Sequence, residues 1–144
     1  MLVWGWSDKY FDVIWCVDIL TSLRDPIQVV RKISRMGKVG YIRIPNKNYE
    51  SLYNVDSGHY VGYGMNRWFA DVMISQDDKP FMLFTYKHPN VNNPDMYEPN
   101  PIGDKYTHIW WTGAVEAAEV HYPNNDAFEK ILKSWELEYS NATQ

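Results

Sequence analysis

Apolar and polar positions change their rhythm several times along the 144 residues, and each change marks an element. Tyr10 to Val17 is a near-continuous apolar run rich in β-branched and aromatic residues, the pattern of a strand buried on both faces. Asp25-Pro26 follows as a helix start, a capping carboxylate ahead of a proline whose missing N–H costs nothing at the first helical position. Val29, Val30, Ile33 and Met36 then repeat at helical spacing, while Gln28, Arg31, Lys32 and Arg35 fall on the opposite, polar side. Gly37 is expected to stop the helix in a left-handed conformation. Val39 to Ile44 reads as a second strand, closed by Pro45. Strand, helix, strand at this spacing predicts a right-handed βαβ unit with parallel strands.

The later chain carries other patterns. NKNYESLYNV (46–55) suits one or two helical turns, and 56–64 is turn-rich. Asn66 to Ile74 and Phe81 to Tyr86 are aromatic and β-branched runs around SQDDKP, which predicts an antiparallel hairpin with a loop of five or six residues. Stretch 88–104 holds four prolines and four asparagines, the chemistry of an irregular surface loop, and its length suits a lid or binding loop. Tyr106 to Thr112 and Glu116 to Tyr122 read as two strands or as one strand bulged around Thr112-Gly113. Phe128, Ile131, Leu132, Trp135 and Tyr139 line one face of a closing helix, capped near Asn125 or Asp126. No repeat or linker divides the chain, so a single domain over residues 1–144 is expected, large enough to bury roughly 70% of its extended surface.

Composition narrows the function classes. A net charge of −4 offers no basic surplus to replace phosphate counterions, which argues against a nucleic-acid partner. One cysteine excludes an internal disulfide framework and suits a reducing compartment. No apolar run reaches the roughly 18–20 residues of a bilayer span, and the first residues lack a basic start before a long apolar segment. A cytoplasmic protein without membrane contact is expected. Seven Trp and eleven Tyr can fill a core, line a pocket or form an interface. For Trp68, Trp110 and Trp111, stacking on a sugar or base competes with packing in a sheet core.

Candidate chemistry is sparse. Cys16 reads either as a nucleophile or as a small buried hydrophobe within an apolar strand. The histidines His59, His88, His108 and His121 stand 13 to 29 residues apart without ligand spacing, so no metal site is expected. No Ser/His/Asp order, phosphate loop or paired-carboxylate pattern stands out, and the catalytic residues stay unassigned.

Taken together, Phe11-Asp12, Asp18-Ile19-Leu20, Asp25-Pro26, Gly40 and Pro45-Asn46 resemble the fourth and fifth strands of class I S-adenosylmethionine-dependent methyltransferases, with the turn and helix between them. Asn66-Arg67-Trp68-Phe69, Leu83-Phe84, Lys87-His88-Pro89 and Trp110-Trp111 with Glu116 and Glu119-Val120 are similar to later strands of a type 11-like subgroup. The resemblance runs from Lys9 to about Tyr122. It implies an α/β fold, a partial Rossmann-like methyltransferase sheet of a βαβ unit plus antiparallel strands with flanking helices. The implied parent activity is methyl transfer from S-adenosylmethionine to a small or glycan-type acceptor, by in-line displacement in which positioning supplies most of the acceleration.

The chain departs from the family in two places. The glycine-rich cofactor turn would precede residue 1, and no GxGxG occurs in the sequence; Thr21-Ser22 replaces the family's Glu-His after the fourth strand. On the matched pattern Cys16, Val17 and Asp18 would border the cofactor, at the strand's carboxyl end where open α/β sheets bind ligands. Asp18 reads equally as a turn-forming aspartate. His59 and Arg67 would face an anionic methyl acceptor, or else are a solvated loop histidine and a rim arginine. Weak or no cofactor binding by this chain alone is expected. The first strand would then expose an unpaired apolar edge, to be covered by a second copy, by a complementing N-terminal half or by the N-terminal residues themselves. An interaction module without catalysis, using that edge, is the alternative function.

Overall fold

A computed structural model of the protein describes residues 7–51, 61–87 and 105–142. His59 and stretch 88–104, the expected lid or binding loop, lie outside them. The first strand, β1 (Phe11–Val17), leads through a single 3-10 turn (Leu20–Ser22) into helix α1 (Pro26–Met36) and strand β2 (Gly37–Pro45). Asp25 caps α1 by accepting a 3.1 Å hydrogen bond from the Gln28 N–H, with Pro26 at the first turn. Strands β1 and β2 are parallel, Trp15 beside Tyr41 and Val17 beside Arg43, so the βαβ unit forms as its pattern predicts.

Gly37 does not end the helix in a left-handed turn. Its φ of −102° and ψ of 148° are extended, and it is already the first residue of β2. Close packing explains the glycine instead, because a Cβ there would stand 2.8 Å from the Ile14 side chain and 3.0 Å from the Trp111 ring. Gly40 is tighter still, with the Trp111 indole 2.5 Å from where a Cβ would be.

The rest of the chain adds one antiparallel strand to the first sheet and builds a second. Helix α2 (Lys47–Glu50) is one turn capped by Asn46, whose side chain accepts from the Asn48 N–H. Strands β3 (Trp68–Ile74) and β4 (Pro80–Tyr86) form the expected hairpin, Ile74 opposite Pro80, with Asp78 at φ 58° in its turn. Strand β5 (Tyr106–Thr112) runs antiparallel to β2, and β6 (Glu116–Val120) runs parallel to β4. The two strands read around Thr112-Gly113 are therefore separate and belong to different sheets, in orders β1-β2-β5 and β3-β4-β6. Gly113, at φ 80°, makes the crossing. Among the described residues the protein is thus mixed α/β with two three-stranded mixed sheets, where one extended sheet was expected.

Helix α3 (Asn125–Ala142) closes the chain. Asn124, one residue before the expected cap, accepts from the Ala127 N–H. The main core joins Ile14, Cys16, Ile42, Ile44, Ile109 and Trp111 of the first sheet to Val30 and Ile33 of α1 and to Ala70, Met82, Phe84 and Ala117 of the second. A smaller core sets Phe69 against Phe128, Leu132 and Trp135 of α3.

Strand β1 departs from its expected double-sided burial. It is an edge strand, and alternate residues face out: Val13 is 49% exposed, Trp15 64% and Val17 41%, while Cys16 is buried. Trp68 and Trp111 are core residues as packing predicts, but Trp110 is 67% exposed. Consecutive strand residues point to opposite faces, so Trp110 and Trp111 cannot share one core.

Candidate functional site

The carboxyl end of β1 is where the matched pattern locates a ligand, and three strand residues reach it in different states. Cys16 points into the core, and burial pushes its thiol up to about 11, so it stays protonated and inert near neutral pH. Val17 lies on the open face. Asp18 ends the strand in a left-handed conformation, φ 59°, which an aspartate tolerates better than a branched residue. Its N–H donates to the Arg43 carbonyl at 3.0 Å, and its carboxylate takes both arms of the Arg43 guanidinium, Nε on Oδ1 at 2.9 Å and Nη2 on Oδ2. Arg43 also stands over the Tyr106 ring, 4.3 Å from its centroid. A fork-to-carboxylate pair of this kind fixes orientation as well as charge. Asp18 is accordingly neither a plain turn former nor a spare acceptor.

Arg67 comes close to this end through its backbone. Its N–H donates to the Thr21 carbonyl at 2.7 Å and its carbonyl accepts from the Lys87 N–H at 2.8 Å, while the side chain is exposed. These bonds fasten the start of β3 and the end of β4 to the turn that follows β1.

Directly behind lies a buried polar cluster that pattern reasoning missed. Glu50, 1% exposed, accepts from the Lys87 ammonium at 2.7 Å, from the Tyr63 N–H at 2.9 Å and from the Asn66 amide at 3.1 Å. Asn66 in turn accepts from the Thr21 hydroxyl at 3.0 Å, and Lys87 donates to the Tyr63 carbonyl at 2.9 Å. Burial raises the Glu50 pKa, and Lys87, Asn66 and the Tyr63 N–H oppose that rise. Gly62, at φ 64°, presses on Glu50 so closely that any side chain would collide with it. Glu50 holds the cluster together, its Oε1 accepting from Lys87 and Tyr63 and its Oε2 from Asn66 in a site closed to water. One signal was present in the sequence, because Asn66 and Lys87 both belong to the motifs matched above; Glu50, on a one-turn helix, gave none.

Two small clefts lie between the second sheet and α3. One, about 210 Å³, is lined by Lys47, Phe69, Asp71, Leu83, Tyr122 and Trp135, with Lys47 bound to Asp71 at 2.7 Å. Its neighbour, about 260 Å³, is lined by Tyr86, Glu119, His121, Tyr122, Asn124 and Phe128. Both fall below the ~300–1,000 Å³ usual for small-molecule sites. Cys16, Val17, Asp18 and Arg67 line neither. Among the described residues, no three His, Cys, Asp or Glu side chains converge for a metal, and no helix is long and apolar enough to cross a membrane.

At the end of β1, the Asp18 carboxylate is held by Arg43 and the Cys16 thiol is buried. Comparison with known proteins finds no matching family, no matching curated protein and no matching solved structure.

Proposed function

We propose that this chain is the second half of a methyltransferase-like domain, whose parent activity is methyl transfer from S-adenosylmethionine to a small or glycan-type acceptor. By itself it binds the cofactor weakly or not at all. The observation that supports this reading is the β1–α1–β2 unit with β1 at the sheet edge, its outer side open among the described strands. In the family's sheet a first strand, followed by the glycine-rich turn, lies along that side. Completion by such a strand would bring a cofactor to Asp18 and to the turn at Thr21.

Isothermal calorimetry with S-adenosylhomocysteine tests the reading. The chain alone is expected to show little heat, and the chain mixed with an N-terminal methyltransferase half carrying the glycine-rich turn is expected to bind. No binding with any such half overturns it.

A second reading is favoured by a different observation, the exposure of Trp15 and Trp110 on the first sheet. On this reading the protein is a non-catalytic interaction module, and its β1 edge or the adjoining surface pairs with another chain.

A further inference from the structure

One face of the first sheet has the composition of half a core. Across the register, Val13 and Val17 of β1, Val39 and Tyr41 of β2, and Trp110 and Thr112 of β5 point to the same side, opposite α1 and the main core. Trp15 stands between them, 5.2 Å from Tyr41 and 5.9 Å from Trp110, and Tyr41 lies 4.5 Å from Trp110. The rings meet at 57°, 80° and 44°, edge-on or tilted as in a protein interior. A flat ligand such as a sugar would find no common plane here. Parallel strand pairs are normally covered on both faces, and α1 covers only one.

We propose that this face binds its counterpart on a second copy of the chain, sheet against sheet at the usual spacing of about 10 Å. Three observations select that occupant. The exposed parts of Trp15, Trp110, Val13 and Val17 amount to an apolar patch on the order of 500 Å², toward the upper end of the ~300–600 Å² that the largest patch on a monomer reaches, where such patches are often functional. With the polar rim of Arg43, His108 and Thr112, each copy offers close to the ~800 Å² per partner of a stable interface. The face is also electrically neutral within a chain of net charge −4, because its one guanidinium, Arg43, is matched by Asp18. Two copies therefore meet without like charges opposed. At the rim, the Tyr41 hydroxyl and His108 Nδ1 are already bonded at 2.6 Å, so that polar pair needs no partner from across the interface.

This inference deepens the interaction reading and is independent of methyl transfer. Sedimentation of the full chain between about 1 and 100 μM, with Trp110→Lys as the variant, tests it. Trp110 sits on β5, two strand spacings (~10 Å) from the open β1 edge, so its replacement breaks face stacking and leaves edge pairing untouched. The expected result is a wild-type dimer whose dissociation constant rises about 30-fold or more in Trp110→Lys, the effect of losing a central tryptophan anchor. Circular dichroism of the variant and the milder Val17→Lys, expected to weaken the dimer in the same direction, separate this from misfolding. A dimer that persists unchanged in both folded variants overturns the face and leaves the edge. A wild-type monomer throughout the range overturns face and edge together.

Discussion

Single side chains here are decided by whether their surroundings satisfy them. Glu50 and Lys87 are the sharpest case, a carboxylate and an ammonium removed from water together. Deleting one partner strands the other: Lys87→Met is expected to cost about 3–5 kcal/mol in urea unfolding, and adding Glu50→Gln to it should restore part of that loss. The pH dependence has a defined sign. Burial raises the Glu50 pKa above its ordinary 4.5, so the folded chain holds this proton more tightly than the unfolded one. Glu50's contribution is fully present below pH 4.5 and is lost as pH rises through the raised folded value. Glu50→Gln should flatten that part of the stability curve. Cys16 supplies a simpler check. With its thiol buried and raised to about 11, it should resist an aromatic disulfide reagent at pH 8 in the folded protein and react fully once denatured. A fast-reacting native thiol would contradict the packing described for β1.

At the scale of elements, local chemistry was legible wherever one residue dictated one geometry. Asp25-Pro26 announced α1, the SQDDKP turn announced the hairpin, and the apolar repeat from Phe128 to Trp135 announced α3. Gly37 misled because glycine serves two purposes. It frees φ at a helix end, or it lets a neighbour approach, and only the positions of Ile14 and Trp111 show that the second applies. The count of sheets was likewise illegible, because periodicity marks a strand without naming its partner. β5 and β6 look like one bulged strand until β2 and β4 claim them separately. The end of β1 offers an element-scale prediction. Asp18→Gly and Asp18→Val both lose the Arg43 pair, so their difference isolates the left-handed backbone; the glycine variant should be more stable by about 1 kcal/mol in chemical denaturation. Equal stabilities would mean that the chain turns there in another way.

For the molecule as a whole, the sequence located the candidate ligand end on the fold but not the contacts its side chains make there. Cys16, Val17 and Asp18 do gather at the carboxyl end of β1, with Arg67 bound nearby to the same turn. What the pattern could not show is that Arg43, 25 positions away, already holds Asp18, or that Glu50 seals the ground behind. Long-range pairings of this kind leave no local trace. The exposed side of the first sheet escaped notice for the same reason: Trp15, Tyr41 and Trp110 come from three strands, and each alone resembles a core aromatic.

The crossing at Gly113 carries a consequence for synthesis. The polypeptide spends residues 105–112 finishing one sheet and 116–120 finishing the other, with the Gly113 N–H bonded to Lys38 and the Val115 N–H bonded to Ser34 of α1. A nascent chain that has emerged to Tyr86 therefore holds β1, β2 and the β3–β4 hairpin, with β2 still lacking β5 and β4 still lacking β6. Both assemblies wait on the same segment, Tyr106 to Val120, which leaves the ribosome after all their other strands. Maturation should thus be late and abrupt rather than gradual, with the greatest exposure to self-association just before that segment arrives.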